Sequence, residues 1–269
     1  MNPQPKWNRV SRSVPCPICG RPDWCGVAPD GSVAICMRVE SDRPTRNGGW
    51  LHSLGEPRPP AEPHERRKPS APPAPNFPNL WRLWRQATTP ADMEAFGAEL
   101  QVSPHALDRL GAARSPYGPA WAFPMYPAVG PTSGLRLRAP DGRKWAVTGS
   151  REGLFLPSRP PGKELVLCEG PTDTAAALTL GLDAIGRPSC TGAVAKTIEY
   201  VRRNGVARAL IVADADRPGR EGAARLAGEM PVPCAVLVPP AKDLRAWLAA
   251  GATRAAFDTL ARHARWRFP

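Results

Sequence analysis

The sequence predicts an α/β protein. A mostly parallel sheet with flanking helices fills the C-terminal half, preceded by a basic α+β subdomain and a small β module stapled by cysteines. Three observations carry this. After Gly162, short apolar runs alternate with helical segments, the pattern of buried parallel strands joined by crossover helices. Four of the seven cysteines fall between residues 16 and 36. Residues 54–79 contain nine of the 35 prolines and almost nothing that builds a core, so they read as an extended spacer between a small module and everything after Leu80.

The chain has 269 residues, room for one or two cored domains. Its 36 lysines and arginines against 24 acidic residues give +12, spread along the chain rather than held in a tail. A distributed excess of this sign favours polyanion partners, nucleic acid first. No stretch approaches the roughly 18 apolar residues of a membrane span, and MNPQPKWNRVSRS lacks a signal-peptide core. An odd number of cysteines with one tight cluster points to a metal site and buried thiols in a reducing cytoplasm, not to disulfides.

The N-terminal module spans residues 1–53. Cys16 and Cys19, in CPICG, form a turn whose two thiolates grip one ion. Between Cys25 and Cys36 lies GVAPDGSVAI, and a two-residue Asp30-Gly31 turn sets those two cysteines opposite one another on a hairpin, their Cβ atoms roughly 4.5–5.5 Å apart. Four soft thiolates select tetrahedral Zn²⁺, which holds together a module too small to bury its own core. His52, in GGWLHSL, is the alternative fourth ligand to Cys25. Arg21, Arg38, Arg43 and Arg46 interleave with Trp24 and Trp50, a combination suited to single-stranded nucleic acid, although both tryptophans also serve to cap a small core.

Residues 80–160 form the basic subdomain. WRLWRQA is helical; Thr89 and Pro90 start a second helix, Ser103 and Pro104 a third, which Gly111 ends. AWAFPMYP, GLRLRAP, RKWAVTGS and GLFLP read as strands, with a turn at Asp141-Gly142. Arg136 and Arg138 share one face of a strand, and Lys144 follows the turn, an arrangement suited to tracking phosphates and equally that of an ordinary solvated hairpin face.

Residues 161–252 carry the alternating segments, and 253–269 a basic helical tail with Trp266 and Phe268, which either packs on the sheet or docks a partner. Within them Glu169-Gly170-Pro171-Thr172-Asp173 follows the apolar run ELVLC, and Asp214-Ala215-Asp216 follows ALIVA. Both acidic groups therefore stand at the carboxyl edge of a parallel sheet, where ligands bind. Asp243, beside Lys242, follows CAVLVPP and enters from the next strand. Several carboxylates in one crevice require a divalent cation, and oxygen-only ligands select Mg²⁺ or Mn²⁺.

The order EGxxD, a glycine-containing second strand, DxD and a later KD resembles the toprim domain of primases, topoisomerases and some nucleases. Joined to a zinc ribbon and a basic subdomain, it is similar to DNA primases of phages and other mobile elements, a likeness that covers the ribbon at 14–53, the basic subdomain at about 80–160 and the toprim segment at 161–252, and in which the proline-rich spacer takes no part. The resemblance implies Glu169 as the acid/base or metal-linked carboxylate, Asp214 and Asp216 as metal holders and Asp243 completing the site. It offers Lys196, Arg217, Arg220 and Lys242 as phosphate contacts and Trp50 as a base contact. It further implies synthesis of short RNA primers on single-stranded DNA from ribonucleoside triphosphates in the cytoplasm. With no Walker A motif in the sequence, a replicative helicase is expected on a separate polypeptide. GAVAKT (192–197) reads as a helix start. The rival readings are a toprim nuclease using the same acids to activate water, and a non-catalytic zinc-ribbon replication adaptor.

Overall fold

The computed structural model describes residues 7–45, 48–55, 75–160 and 162–269. It divides into two compact units, Met1–Ser70 and Ala71–Pro269. The expected spacer falls largely on residues 56–74, outside the described residues. Its last residues are not spacer: Pro78 opens the first turn of a helix that Asn76 caps, with Asn79 N–H donating to Asn76 Oδ1 at 3.1 Å. Burial of Phe77 draws the start of that helix three residues ahead of Leu80.

The first unit is an antiparallel sheet of β1 (Asn8–Arg9), β2 (Gly26–Val27), β3 (Val33–Cys36) and β4 (Trp50–Ser53), in that order. Gly26 pairs with Ile35 and Val27 with Ala34, so one further step of the same register sets Cys25 against Cys36. The loop is wider than the expected two-residue turn. Ala28 N–H donates to the Val33 carbonyl at 2.8 Å, leaving residues 29–32 as the turn, with Gly31 at φ +71° and Ser32 N–H bonded to Asp30 Oδ1. Both loops are centred on the same point, which is why the cysteine pairing is the expected one.

The second unit begins with α1 (Phe77–Ala87), α2 (Pro90–Leu100) and α3 (Pro104–Arg109). Thr89 and Asp92 close a reciprocal cap on α2, fixing its start where the sequence puts it. An antiparallel sheet follows, in order β5 (Ala113–Arg114), β6 (Trp121–Met125), β7 (Gly134–Arg138) and β8 (Lys144–Ala146). The expected GLFLP strand survives only as two bridges, Leu154 to Tyr126 and Phe155 to Gly186. One reaches back to the antiparallel sheet and the other forward to the parallel one, so this segment joins the two instead of adding to either.

The remainder runs β9 (Glu164–Glu169), α4 (Gly170–Thr179), β10 (Ala184–Arg187), α5 (Val194–Arg203), β11 (Arg208–Val212), α6 (Arg217–Glu229), β12 (Cys234–Leu237), α7 (Leu244–Ala249), α8 (Arg254–Arg262) and β13 (Trp266–Arg267). The sheet order is β10-β9-β11-β12-β13, parallel except for β13. Alternate residues of β9 feed the two faces. Leu165 and Leu167 join Ile185, Ile211, Tyr200 and Leu226 on one side, while Val166 and Cys168 join Leu178, Phe96, Leu107 and Phe257 on the other. The basic subdomain thus shares a core with the parallel sheet, and the stacked rings of Phe96 and Trp121, 4.0 Å apart, lie within it. The tail is not one helix: α8 buries Phe257, and Trp266 leaves it to pair with Ala235 at the sheet edge.

Glycines record how closely α6 approaches the sheet loops. A Cβ on Gly222 would meet the Cys190 carbonyl oxygen at 2.4 Å, whereas one on Gly228 of the same helix would meet nothing nearer than an Arg267 nitrogen at 3.7 Å. Gly222→Ala is therefore expected to destabilise by about 1–3 kcal/mol. Gly228→Ala should be neutral or stabilising by up to about 1 kcal/mol, because alanine is the better helix former. Urea unfolding of the two variants checks the contrast.

Candidate metal centre and acidic edge

Cys16 and Cys19 sit on a tight turn closed by Gly20 N–H donating to the Cys16 carbonyl at 2.8 Å, with Gly20 at φ +69°. The hairpin brings in Cys25 and Cys36, and the ligand atoms of all four lie within 4.8 Å of one another. Cys19 Sγ and Cys25 Sγ are 3.8 Å apart, the edge expected of a tetrahedron with metal–sulfur bonds of about 2.3 Å. Backbone N–H groups point at the sulfurs: Val39 donates to Cys36 at 3.3 Å and Met37 to Cys25 at 3.5 Å. The Arg21 N–H draws the Cys19 thiol down to about 6, while burial pushes Cys25 up to about 12. Four thiolates at this spacing need a cation between them. His52 is no member of the group; it stands in β4 opposite Ala34, its Nε2 3.0 Å from the Val39 carbonyl oxygen.

The second site lies at the carboxyl edge of the parallel sheet. Glu169 is the last residue of β9 and the N-cap of α4, its side chain uncommitted to capping, with Gly170 at φ +78° making the turn. Asp173, one turn into α4, is buried and accepts the Arg245 N–H at 2.9 Å. Asp216 caps α6 through Gly219 N–H at 2.8 Å and Asp243 caps α7 through Ala246 N–H at 2.6 Å. Each commits one oxygen to its helix and keeps the other. The two loops are joined by Ala215 N–H donating to the Lys242 carbonyl at 2.8 Å.

The electrostatics show that these groups feel one another. Burial, then the charges of Glu169, Asp243 and Asp216, push Asp214 up to about 6, against an opposing pull from Lys144. Burial and Asp243 push Asp173 up to about 7. Their separations are nonetheless wider than in the cysteine centre: among the described residues, only the four cysteines place three or more metal-type ligand atoms within 4.8 Å of one another.

Basic side chains from the antiparallel sheet reach the same edge. Arg138, on β7, lies within electrostatic range of Asp173, Asp243, Glu99 and Arg245, and its buried Nε has no hydrogen-bond partner. Arg136, two residues earlier, is half-buried on the same strand, and exposed Lys144 pairs with Arg138 in the sheet. Lys196 instead lies 3.7 Å from Glu152, and Arg217 is bonded to Glu221 at 2.7 Å, so both are engaged by carboxylates of their own. Arg220 and Lys242 are exposed. Trp50 belongs to the other unit, paired with Cys36 in the sheet and half-buried.

Three further residues stand at this edge. Asp173 was legible, because the spacing of EGxxD sets it one helical turn beyond Glu169. Arg245 and Arg187 carried no motif, and only the meeting of separate strand ends brings them in.

Asp173 and Asp214 hold protons more tightly in the folded chain than in the unfolded one. Their contribution is therefore most favourable below about pH 4 and is lost as pH rises through 6 to 7. Asp214→Asn is expected to raise stability at pH 8 by on the order of 1–3 kcal/mol relative to the parent, without added divalent ions, and by about a third as much at pH 4.5. Urea melts of both proteins at the two pH values measure the difference.

No family model matches the sequence, and no curated protein matches it. In structure the chain is similar to the primase fragment of the bacteriophage T7 primase-helicase, at 17% identity and TM-score 0.51 over 95% of this chain and 100% of that one. It is similar to a DnaG primase catalytic domain bound to single-stranded DNA, at 13% identity and TM-score 0.56 over 70% and 77%. A third is the Aquifex aeolicus primase with its zinc-binding and RNA polymerase domains, at 12% identity and TM-score 0.56 over 70% and 60%. With a parallel sheet carrying acids at its carboxyl edge, a basic antiparallel sheet packed beside it and a separate Cys₄ module, the chain has the fold shared by DnaG-type catalytic cores and the T7 primase fragment.

Proposed function

We propose that the chain is a DNA primase that joins ribonucleoside triphosphates into short RNA primers on single-stranded DNA. The observation that carries this is the acidic edge itself: carboxylates from the ends of β9, β11 and β12 face Arg138 and Lys144, which arrive from the preceding basic subdomain. A nuclease needs the acids but has no evident need of that basic sheet.

The donor set is all oxygen, net negative and short of compensating cations, which fits Mg²⁺ or Mn²⁺ held by Asp214, Asp216, Asp243 and Glu169. When bound, such an ion neutralises triphosphate charge and acidifies a 3′-hydroxyl. The chain's own residues do the rest. Glu169, whose side chain caps no helix, accepts the proton of the attacking hydroxyl in this reading. Arg138, Arg136 and Lys144 orient the triphosphate and template phosphates, and exposed Arg220 and Lys242 widen that basic rim. The N-cap bonds of Asp216 and Asp243 hold those side chains in place before substrate arrives, which lowers the reorganisation needed at the reacting step.

In this reading Zn²⁺ occupies the Cys₄ centre and stabilises a module that samples template through Trp50 and its arginines, and a separate helicase supplies the single strand. Cys36→Ser is expected to lower zinc content from one ion per chain to a small fraction of that, measured by atomic absorption, and to unfold the N-terminal module while residues 71–269 keep their own unfolding transition.

The decisive assay offers the protein single-stranded DNA, labelled ribonucleotides and Mn²⁺. Labelled oligomers should lengthen with the parent protein and fall by about 10²–10⁴-fold with Glu169→Gln or Asp214→Asn. Template shortening in place of primer growth establishes the nuclease. Neither reaction, with biological activity surviving the Asp214→Asn change, establishes an adaptor.

A further inference from the structure

Residues 150–155 form a strap between the two sheets of the larger unit. On the antiparallel side, the Leu135 N–H of β7 donates to Ser150 Oγ at 3.1 Å, and the Arg151 N–H to the Ser133 carbonyl at 3.0 Å. Leu154 and Tyr126 exchange backbone hydrogen bonds of 2.7 and 2.9 Å. A Cβ on Gly153 would meet the Tyr126 carbonyl oxygen at 2.5 Å, so the strap lies flush against the chain leaving β6. On the parallel side, Phe155 and Gly186 of β10 exchange bonds of 2.8 and 2.9 Å.

One side chain of the strap also crosses. Glu152 Oε1 accepts the Ala193 N–H at 3.0 Å and lies 3.7 Å from Lys196 Nζ. Among the described residues, this is the one ion pair that joins residues 80–160 to residues 162–269. Ala193 is the N-cap of α5 and stands at φ +55°, a left-handed conformation that alanine keeps only when its surroundings hold it there. It has no side chain with which to cap, and the first turn of α5 carries no acid. Glu152 supplies both the acceptor and the negative charge from a different element.

The loop that Glu152 holds, 188–193, flanks the acidic edge. Gly219 and Gly222 are neighbours on one face of α6. A Cβ on Gly219 would meet the Asp214 carbonyl oxygen at 2.8 Å and Asp216 Oδ1 at 3.0 Å, and Gly222 makes the close approach to Cys190 described above. The loop and the Asp214/Asp216 pair therefore rest on the first two turns of the same helix. With side chains 52% and 36% exposed, Glu152 and Lys196 add little to stability as an ion pair. The contact matters through the placement it enforces.

We propose that Glu152 is a positioning residue for nucleotidyl transfer. By holding the Ala193 amide from a strap bonded to β7, it sets the spacing between Arg136 and Arg138 on that strand and the carboxylates of the acidic edge. This rests on the proposed primase reading, and Glu152 acts through the 188–193 loop without touching substrate.

The test is steady-state primer synthesis by the full chain with Mn²⁺, run beside thermal melts and backbone amide exchange over residues 189–193. Glu152→Ala should lower kcat by about 10–100-fold and leave KM for ribonucleotides within about twofold, because the binding groups remain and only their alignment is lost. The same variant should exchange the Ala193 amide faster at an unchanged melting temperature. Glu152→Gln, whose amide oxygen still accepts the Ala193 N–H, should recover most of the lost rate and the slow exchange. An active parent whose Ala variant keeps its kcat, or loses activity through KM, overturns the proposal and leaves the primase reading standing. A Gln variant as slow as the Ala variant also overturns it, assigning the effect to the charge on Lys196. An Ala variant that melts early or fails to fold makes Glu152 a stability residue and overturns it too. A parent that makes no primer removes the primase reading and this role together.

Discussion

The mutual repulsion of carboxylates gathered at one sheet edge is the constraint around which the larger unit is arranged. Glu169, Asp173, Asp214, Asp216 and Asp243 come from three strand ends, and burial, followed by the charges of their neighbours, pushes Asp214 to about 6 and Asp173 to about 7. A fold selected only for stability does not assemble such a group, because each added charge raises the cost of the next. The structure offsets that cost locally. Two of the acids cap helices, one accepts the Arg245 amide, and Arg138, Lys144 and Arg187 bring positive charge from three different strands or loops. What remains uncompensated is the part a metal and an anionic substrate would share.

The basic subdomain matters through its placement as much as its charge. Phe96, Leu107 and Trp121 belong to the same core as Val166, Cys168 and Leu178, so β6, on which β7 is paired, packs as one body with the parallel sheet. The Phe155–Gly186 bridge and the Ser103 N–H bond to Thr179 Oγ1 at 2.9 Å reinforce that docking. Arg138 is thereby held over the acids by apolar packing rather than by a salt bridge of its own. Its buried Nε meets no hydrogen-bond partner.

The cysteine module solves the opposite problem. Among its described residues the buried apolar side chains are few, chiefly Val10, Cys16, Cys25, Ala34 and Cys36, so its fold depends on four sulfurs converging. The convergence follows from one hairpin register and one glycine-closed turn, both of them local features.

Locality explains what was readable beforehand. The sequence by itself determined the alternation of strands and helices from Glu164 to Ala249, the cysteine register, the helix starts at Thr89 and Ser103, and the acids at strand ends, because each depends on residues near in the chain: periodicity, a cap, a turn or a motif spacing. It placed α1 three residues late, took GLFLP for a full strand and the tail for one helix, since burial of Phe77, bridging by Phe155 and edge pairing of Trp266 depend on distant partners. It also could not separate Lys196 and Arg217, each held by a nearby carboxylate, from Arg138, which is free to act. Nor could it find Arg187, buried in register with Glu169 on the neighbouring strand. Electrostatic partnership is set by distance in space, and only the packed tertiary structure brings β9, β10 and the strand ends of Asp214 and Asp243 to one edge.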